Sequence, residues 1–242
     1  MKDSVFFVSD THFNHDLRSD GEREKRRRFL EFLESIEGSG GLYLAGDIFD
    51  FWFEYRSVIP RYYGDVVAGL RRLCLSGTPL YITGGNHDHW FGDYLPGEIG
   101  AEILPSVSTH EIQGRKIVLT HGDDLLPGDL GYKALKAVIR SRPAVAAARL
   151  MHPDLLYAVA FFFSRRSKSL TQGKTARCAE RLVEMAPDRF FEDGNDAFIT
   201  GHVHLPRLAR FGDRVFIILG DWETHFSYAR LAGGEFFLES LT

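Results

Sequence analysis

Scarcity excludes several classes at the outset. Only two cysteines, Cys74 and Cys178, occur in 242 residues, too few for a disulfide framework. A reducing compartment is therefore the expected setting. No run of about 20 apolar residues exists, so no segment is expected to span a bilayer. The opening MKDSVFFVSDTH has a short apolar run met at once by Asp10 and His12, which does not read as a signal peptide. The expected location is the cytoplasm. There is no internal repeat, no low-complexity tract and no linker rich in Pro or Ser, so the expected organisation is one unit over 1–242. Hydrophobic residues make up 44% and charged residues 26%, an ordinary globular balance that excludes disorder, collagen and coiled coil.

Net charge is also small, at −4, but it is unevenly spread. Residues 133–181 hold 11 Lys and Arg against Asp154 and Glu180, a segment of +9 in a remainder of −13. A basic island in an acidic chain suggests an anionic partner. The run Arg23 to Arg28 reads as the exposed side of a helix leading to Ile36. With a negative overall charge, nucleic acid is not an expected partner.

Short runs rich in Val, Ile, Leu and aromatics predict strands at Val5–Ser9, Leu42–Ala45, Leu80–Thr83, Lys116–Thr120, Ala197–Thr200 and Val215–Leu219. Between the early ones lie helical stripes, Phe29, Phe32, Leu33, Ile36 and then Val66, Leu70, Leu73, Cys74. This alternation predicts an α/β protein with buried strands. Residues 107–120 read as a hairpin around Gln113–Gly114, and Arg207 to Leu241 as further strands. Residues 124–187 read as helical. Leu135, Val138 and Ile139 form one stripe, and Leu155 to Phe163 an apolar patch. An inserted helical cap is expected at about 124–170, with return to the core near 174.

Five apolar runs end in potential metal ligands. They lead into Asp10 and His12, into Asp47, into Asn86 and His87, into His121, and into His202 and His204. Residues just beyond the carboxyl ends of α/β strands converge on one crevice. Imidazole and carboxylate donors without thiolate suit manganese, iron, zinc and similar divalent ions. Singly, each has an ordinary structural explanation: Asp47 could cap a helix, and His121 could be a buried hydrogen-bonded histidine. Jointly, in order and each at a strand end, they point to a metal site.

The set D-x-H (Asp10, His12), G-D-x-x-D (Gly46, Asp47, Asp50), G-N-H-D (Gly85 to Asp88), H-G-D (His121 to Asp123) and G-H-x-H (Gly201, His202, His204) resembles the calcineurin-like metallophosphoesterases. That resemblance implies a double-sheet α/β sandwich and two divalent metal ions, manganese foremost, with zinc, iron or magnesium also compatible. It assigns Asp10, His12 and His204 to one metal and Asn86, His121 and His202 to the other, with Asp47 shared. Two cations roughly 3.5–4 Å apart can activate water and steady a phosphoryl group. His87 is expected to stabilise charge or donate a proton near the leaving group, with Asp88 orienting it; Asp47, Asn86, His87 and Asp88 are the catalytic candidates.

F-D-F-W-F after Asp47, the basic aromatic insertion and L-G-D-W (Leu219 to Trp222) narrow the resemblance. They are similar to the lipid A branch of the family, which cleaves UDP-2,3-diacylglucosamine into UMP and an acylated sugar phosphate. This implies an acylated nucleotide-sugar substrate and peripheral contact with the cytoplasmic face of the inner membrane. Substrate contacts are then expected from Asn86, His87, Asp129, Tyr132, Arg166, Ser169, Lys174 and His202. Leu155, Leu156 and Phe161 to Phe163 could shelter acyl chains. Many members of that branch carry Arg at the position of His87. A soluble nucleotide-sugar diphosphate as substrate, or a non-catalytic binding module on the same scaffold, stay open as alternatives. Oligomeric state is not legible.

Overall fold

The structure is a computed structural model that describes residues 2–125, 136–171, 175–191 and 193–241. Among them, eleven strands form two sheets. The first sheet is built on β1 (Val5–Val8), β2 (Gly41–Ala45), β3 (Leu80–Thr83) and β4 (Glu102–Leu104), all parallel. β10 (Ser227–Ala232) pairs antiparallel with β1, and β11 (Glu235–Ser240) with β10, giving the order β11-β10-β1-β2-β3-β4. The second sheet contains β5 (Val107–Ile112), β6 (Arg115–Thr120), β7 (Ala197–Thr200), β8 (Arg207–Phe211) and β9 (Arg214–Ile218), ordered β5-β6-β7-β9-β8. All six predicted strands are present within a residue at either end. β5 and β6 form the expected hairpin, with Gln113 (φ 52°) and Gly114 (φ 73°) both left-handed at its tip, as a two-residue turn of the favoured twist requires.

Side-chain alternation sorts the strands into layers. Phe6, Val8, Leu42, Leu44, Leu80 and Ile82 face α1 (Asp20–Ser35) and α2 (Gly64–Leu75). Their neighbours Val5, Phe7, Tyr43 and Ala45 point the other way, onto Ile117, Leu119, Ala197, Ile199 and Ile217 of the second sheet. Beyond that sheet, Phe198, Phe216 and Ile218 pack on Ala179, Leu182 and Ala186 of the last helix of the insertion. The result is helix, sheet, sheet, helix. Each fully buried Phe or Leu contributes roughly 1.5–3 kcal/mol.

Between β6 and β7 the described residues are largely helical. Residues 136–139 are helical, followed by α3 (Arg142–Leu150), α4 (Pro153–Thr171) and α5 (Thr175–Arg189). Ser141 caps α3 by accepting from the Ala144 N–H. α4 sits on the F-D-F-W-F motif: Tyr157 and Phe161 are buried against Phe51 and Phe53, and the Tyr157 hydroxyl donates to the Phe53 carbonyl at 2.7 Å.

Two expectations need correction here. Phe161 is no free acyl contact, because its ring stacks on His15 with centroids 3.9 Å apart. Among the described side chains of that patch, Phe162, Leu155 and Val159 are exposed, at 64%, 55% and 40%. Val138 and Ile139 are exposed too, and Leu135 lies outside the described residues. The run from Arg23 to Arg28 is not one exposed face: Lys25 and Arg26 are buried, since they fall on the face of α1 that also buries Phe29 and Phe32.

Candidate metal centre

Every candidate ligand follows the end of a parallel strand, and main-chain bonds lock the resulting loops together. The Asp10 N–H donates to Gly46 O, His12 N–H to Asp47 O, Gly201 N–H to His121 O, and Trp222 N–H to Asp10 O, all at 3.0–3.1 Å. Trp222 of L-G-D-W is fully buried with its ring against Phe29 and Phe32, which anchors the β9 end of the ring of loops. Among the described residues, six non-glycine positions have φ between 44° and 64°, and four of them are Asp10, His12, Asp47 and His202. Left-handed backbone at a non-glycine residue costs of order 1–3 kcal/mol and persists where the surroundings enforce it.

The side chains meet at one point. His204 Nε2 lies 3.2 Å from Asp10 Oδ1, and His12 Nε2 lies 3.3 Å from His204 Nε2. His121 Nε2 lies 3.3 Å from Asp47 Oδ2 and 3.2 Å from Asn86 Oδ1. His12 Nε2 is 3.8 Å and His87 Nε2 4.0 Å from the same Asp47 oxygen. The other Asp47 oxygen accepts from the His87 N–H at 2.8 Å, and the His202 N–H donates to Asp10 Oδ2 at 2.8 Å. Three donor groups result, each with its donor atoms within 4.8 Å of one another: Asp10, His12, His204; Asp47, His121, His202; and His12, Asp47, His87.

This donor set fits divalent cations. His12 and His204 aim ring nitrogens at each other, a pairing that needs a proton or a cation between them. His121 Nδ1 faces the Ala45 carbonyl at 2.9 Å. A carbonyl can only accept, so Nδ1 carries hydrogen and Nε2 turns its lone pair to the centre. His12 Nδ1 lies 3.3 Å from the Asp50 carboxylate, which orients its ring the same way.

Electrostatics agree. Burial alone would raise Asp10, yet the hydrogen bond and charge of His204 bring it down to about 2. Asp47 is likewise buried, and His121, His87 and His12 hold it well below the ordinary carboxylate value. Against burial, the Asp47 carboxylate lifts His121 to about 10, and Asp10 lifts His204 to about 9. Burial and the neighbouring His121 push His202 down to about 4. The centre is a concentrated anionic site compensated by protons wherever no metal is bound.

Gly85 shows why small residues flank the ligands. A Cβ there would collide with the Asp47 carboxylate and main-chain nitrogen. Asp88 departs from expectation. It does not reach the His87 ring; its two oxygens accept from the N–H groups of Gly85, Asp47, Ile48 and Phe49 at 2.7–3.2 Å. It binds the G-D and G-N loops to each other, and burial with the charge of Asp47 raises it to about 6. His87 is instead oriented by Asp50, whose carbonyl faces Nδ1 at 3.1 Å.

Asp129, Tyr132 and Lys174 lie outside the described residues; Arg166 and Ser169 lie on α4 where only the backbone is described. From the insertion, Lys136 and Arg140 reach the loops that carry the ligands. Lys136 Nζ pairs with Asp123 at 2.6 Å, and Arg140 donates to the Gly85 carbonyl at 2.8 Å. Sequence reading passed over Asp50, although it is the second acid of G-D-x-x-D, and over these two cations, which carried only the general signal of a basic segment.

Seven metal-type donors at the strand ends of a two-sheet α/β sandwich define a metallophosphoesterase, and the chain belongs to the calcineurin-like phosphoesterase family, whose model matches residues 4–206. Its curated relatives include a UDP-2,3-diacylglucosamine hydrolase of Porphyromonas gingivalis, 28% identical over all of this chain and 98% of the relative. Another, from Stenotrophomonas maltophilia with the same name, is 34% identical over 98% of each chain. A solved archaeal phosphodiesterase shares the fold, with a TM-score of 0.50 at 17% identity, covering 98% of this chain and 99% of that one.

Proposed function

We propose that this protein hydrolyses the diphosphate of UDP-2,3-diacylglucosamine to UMP and 2,3-diacylglucosamine 1-phosphate. The observation that carries the reading is similarity over nearly the full length of relatives bearing that name, insertion included. Two divalent metals, manganese foremost, are assigned to Asp10, His12 and His204 and to Asn86, His121 and His202, with Asp47 shared. When bound, such a pair supplies Lewis acidity and an activated water.

The chain's own groups do the rest. Asp47 carries the negative charge that would help hold both cations. His87, fixed through Nδ1 by the Asp50 carbonyl, presents Nε2 to the centre and serves as charge stabiliser or proton donor for the leaving group. Asp88 keeps the loops of Asp47 and Asn86 in register. Lys136, paired with Asp123 and Asp124, and Arg140, bonded to the Gly85 carbonyl, tie the insertion to the loops that carry His121 and Asn86. Asp129, Tyr132, Arg166, Ser169 and Lys174 are assigned to the head group by resemblance to the same branch.

The insertion, taken as a cap over about 124–170 of a single 1–242 unit, is assigned the acyl chains and peripheral contact with the cytoplasmic face of the inner membrane. Support comes from the exposure of Leu150 (89%), Phe162 (64%) and Leu155 (55%) within a basic segment. No helix among the described residues is long and apolar enough to cross a membrane. Interfacial binding needs only such an apolar patch with cations beside it.

The test is UMP release by manganese-loaded protein from UDP-2,3-diacylglucosamine in detergent micelles, with UDP-N-acetylglucosamine in parallel. Cleavage of the acylated compound alone is expected. Cleavage of the soluble compound alone, or of both equally, overturns the lipid assignment in favour of a general nucleotide-sugar pyrophosphatase.

A further inference from the structure

Lys25 is 4% exposed, yet it lies on α1 with no role in the assignment above. Its Nζ donates to the main-chain carbonyl of His12 at 2.8 Å. It pairs with Glu22 at 2.9 Å, and Arg26 pairs with the same Glu22 at 2.7 Å. Arg26 also donates to the carbonyls of Asn14 and Tyr62 and pairs with Asp65. Glu22 in turn accepts from both the main-chain and side-chain N–H of Asn14. Two cations and two acids thus balance, and together they grip the main chain on both sides of Phe13. Lys25 Nζ further stands 5.4 Å over the Phe13 ring.

The segment so gripped is the one that presents His12, whose own φ is 44°. His12 lies beyond the end of β1, and its carbonyl accepts from the Lys25 ammonium instead of from a strand neighbour. A charge-assisted bond is roughly twice as strong as a neutral one. Stability alone gives no reason for ions here: buried ion pairs are often replaced by apolar residues without loss. An apolar residue could fill the space but could not donate to His12.

We propose that Lys25 is a positioning residue for the metal centre: it holds the His12 main chain so that the imidazole meets Asp10, His204 and Asp47. The proposal rests on the metal reading of the site given above. Outer partners of metal ligands typically tune affinity by 10–100-fold, and an effect of that size is expected from Lys25.

The experiment measures manganese binding by equilibrium dialysis on the full chain, without substrate, for wild type, Lys25→Met and the charge-balanced double variant Lys25→Met, Glu22→Gln. Circular dichroism confirms folding of each at the dialysis temperature. Both variants are expected to bind at least one manganese about 10-fold more weakly than wild type. The double variant carries the test if the single one does not fold. Unchanged affinity in the variants overturns the proposal, as does recovery of wild-type affinity in the double variant, which would trace the defect to charge imbalance. A wild-type protein that binds no manganese overturns the metal reading itself, and is distinguishable because no variant is needed to see it.

Discussion

Asp88 and Asp47 are adjacent acids with opposite tasks. Asp88 accepts four main-chain N–H groups, and each buried donor left without a partner costs about 1–3 kcal/mol. Asp88→Ala is therefore expected to lower stability by at least about 3 kcal/mol, read from the urea midpoint. A loss below about 0.5 kcal/mol, the size of an ordinary surface change, would contradict the assignment. Asp47 concentrates charge among histidines instead of satisfying loops. Asp47→Ala is expected to abolish turnover and manganese binding while circular dichroism stays native. Wild-type turnover in that variant would remove the shared-ligand role.

α1 and α4 each use one face for two purposes. On α1 the buried positions Glu22, Lys25, Arg26, Phe29, Phe32 and Leu33 form a single stripe at helical spacing. Its apolar half builds the core and its charged half grips the loop of His12. On α4 the buried Tyr157 and Phe161 attach the insertion to the F-D-F-W-F motif, while Phe162 projects outward. The two neighbouring phenylalanines should therefore separate experimentally. Phe161→Ala is expected to cost about 3–5 kcal/mol, as buried aromatic truncations do, and to loosen the insertion. Phe162→Ser is expected to leave thermal stability within about 0.5 kcal/mol but to raise KM for the acylated substrate. Its KM for a small chromogenic phosphodiester should not move. Equal effects of Phe162→Ser on both substrates would assign it no lipid contact.

Stability of the entire fold should respond to pH through the centre. His121 and His204 have folded-state values raised to about 10 and about 9, above the ordinary histidine value of about 6.5. A raised value means that their protonation stabilises the fold fully below about 6.5, and that this contribution is lost as pH rises through 9 to 10. His202, held down to about 4, works oppositely and costs stability as pH falls below about 6.5. Metal-free protein in chelator is expected to lose Tm between pH 7 and 10. Saturating manganese should flatten that fall, because the metal displaces the same protons. A Tm that rises over this interval in chelator would be inconsistent with the charge balance of the centre.

Much of this was legible in the residue order. Alternation in runs such as Val5 to Val8 fixes which side chains enter which layer, because a strand turns successive residues to opposite faces. The ligands Asp10, Asp47, His121 and His202 stood out because the ends of parallel strands share one crevice. What sequence reading missed depended on partners distant in the chain. Lys25 and Arg26 looked like solvated charges, although they continue the stripe of Phe29 and Phe32. Their burial becomes affordable only once Glu22, Asp65 and the carbonyls of His12 and Asn14 are brought around them. Asp88 was read beside its neighbour His87, yet the fold gives its oxygens to four N–H groups, three of them about 40 positions away. Local spacing specifies a helix face or a strand end by itself. Which polar groups satisfy one another is decided only when separate loops are packed into the same dry volume.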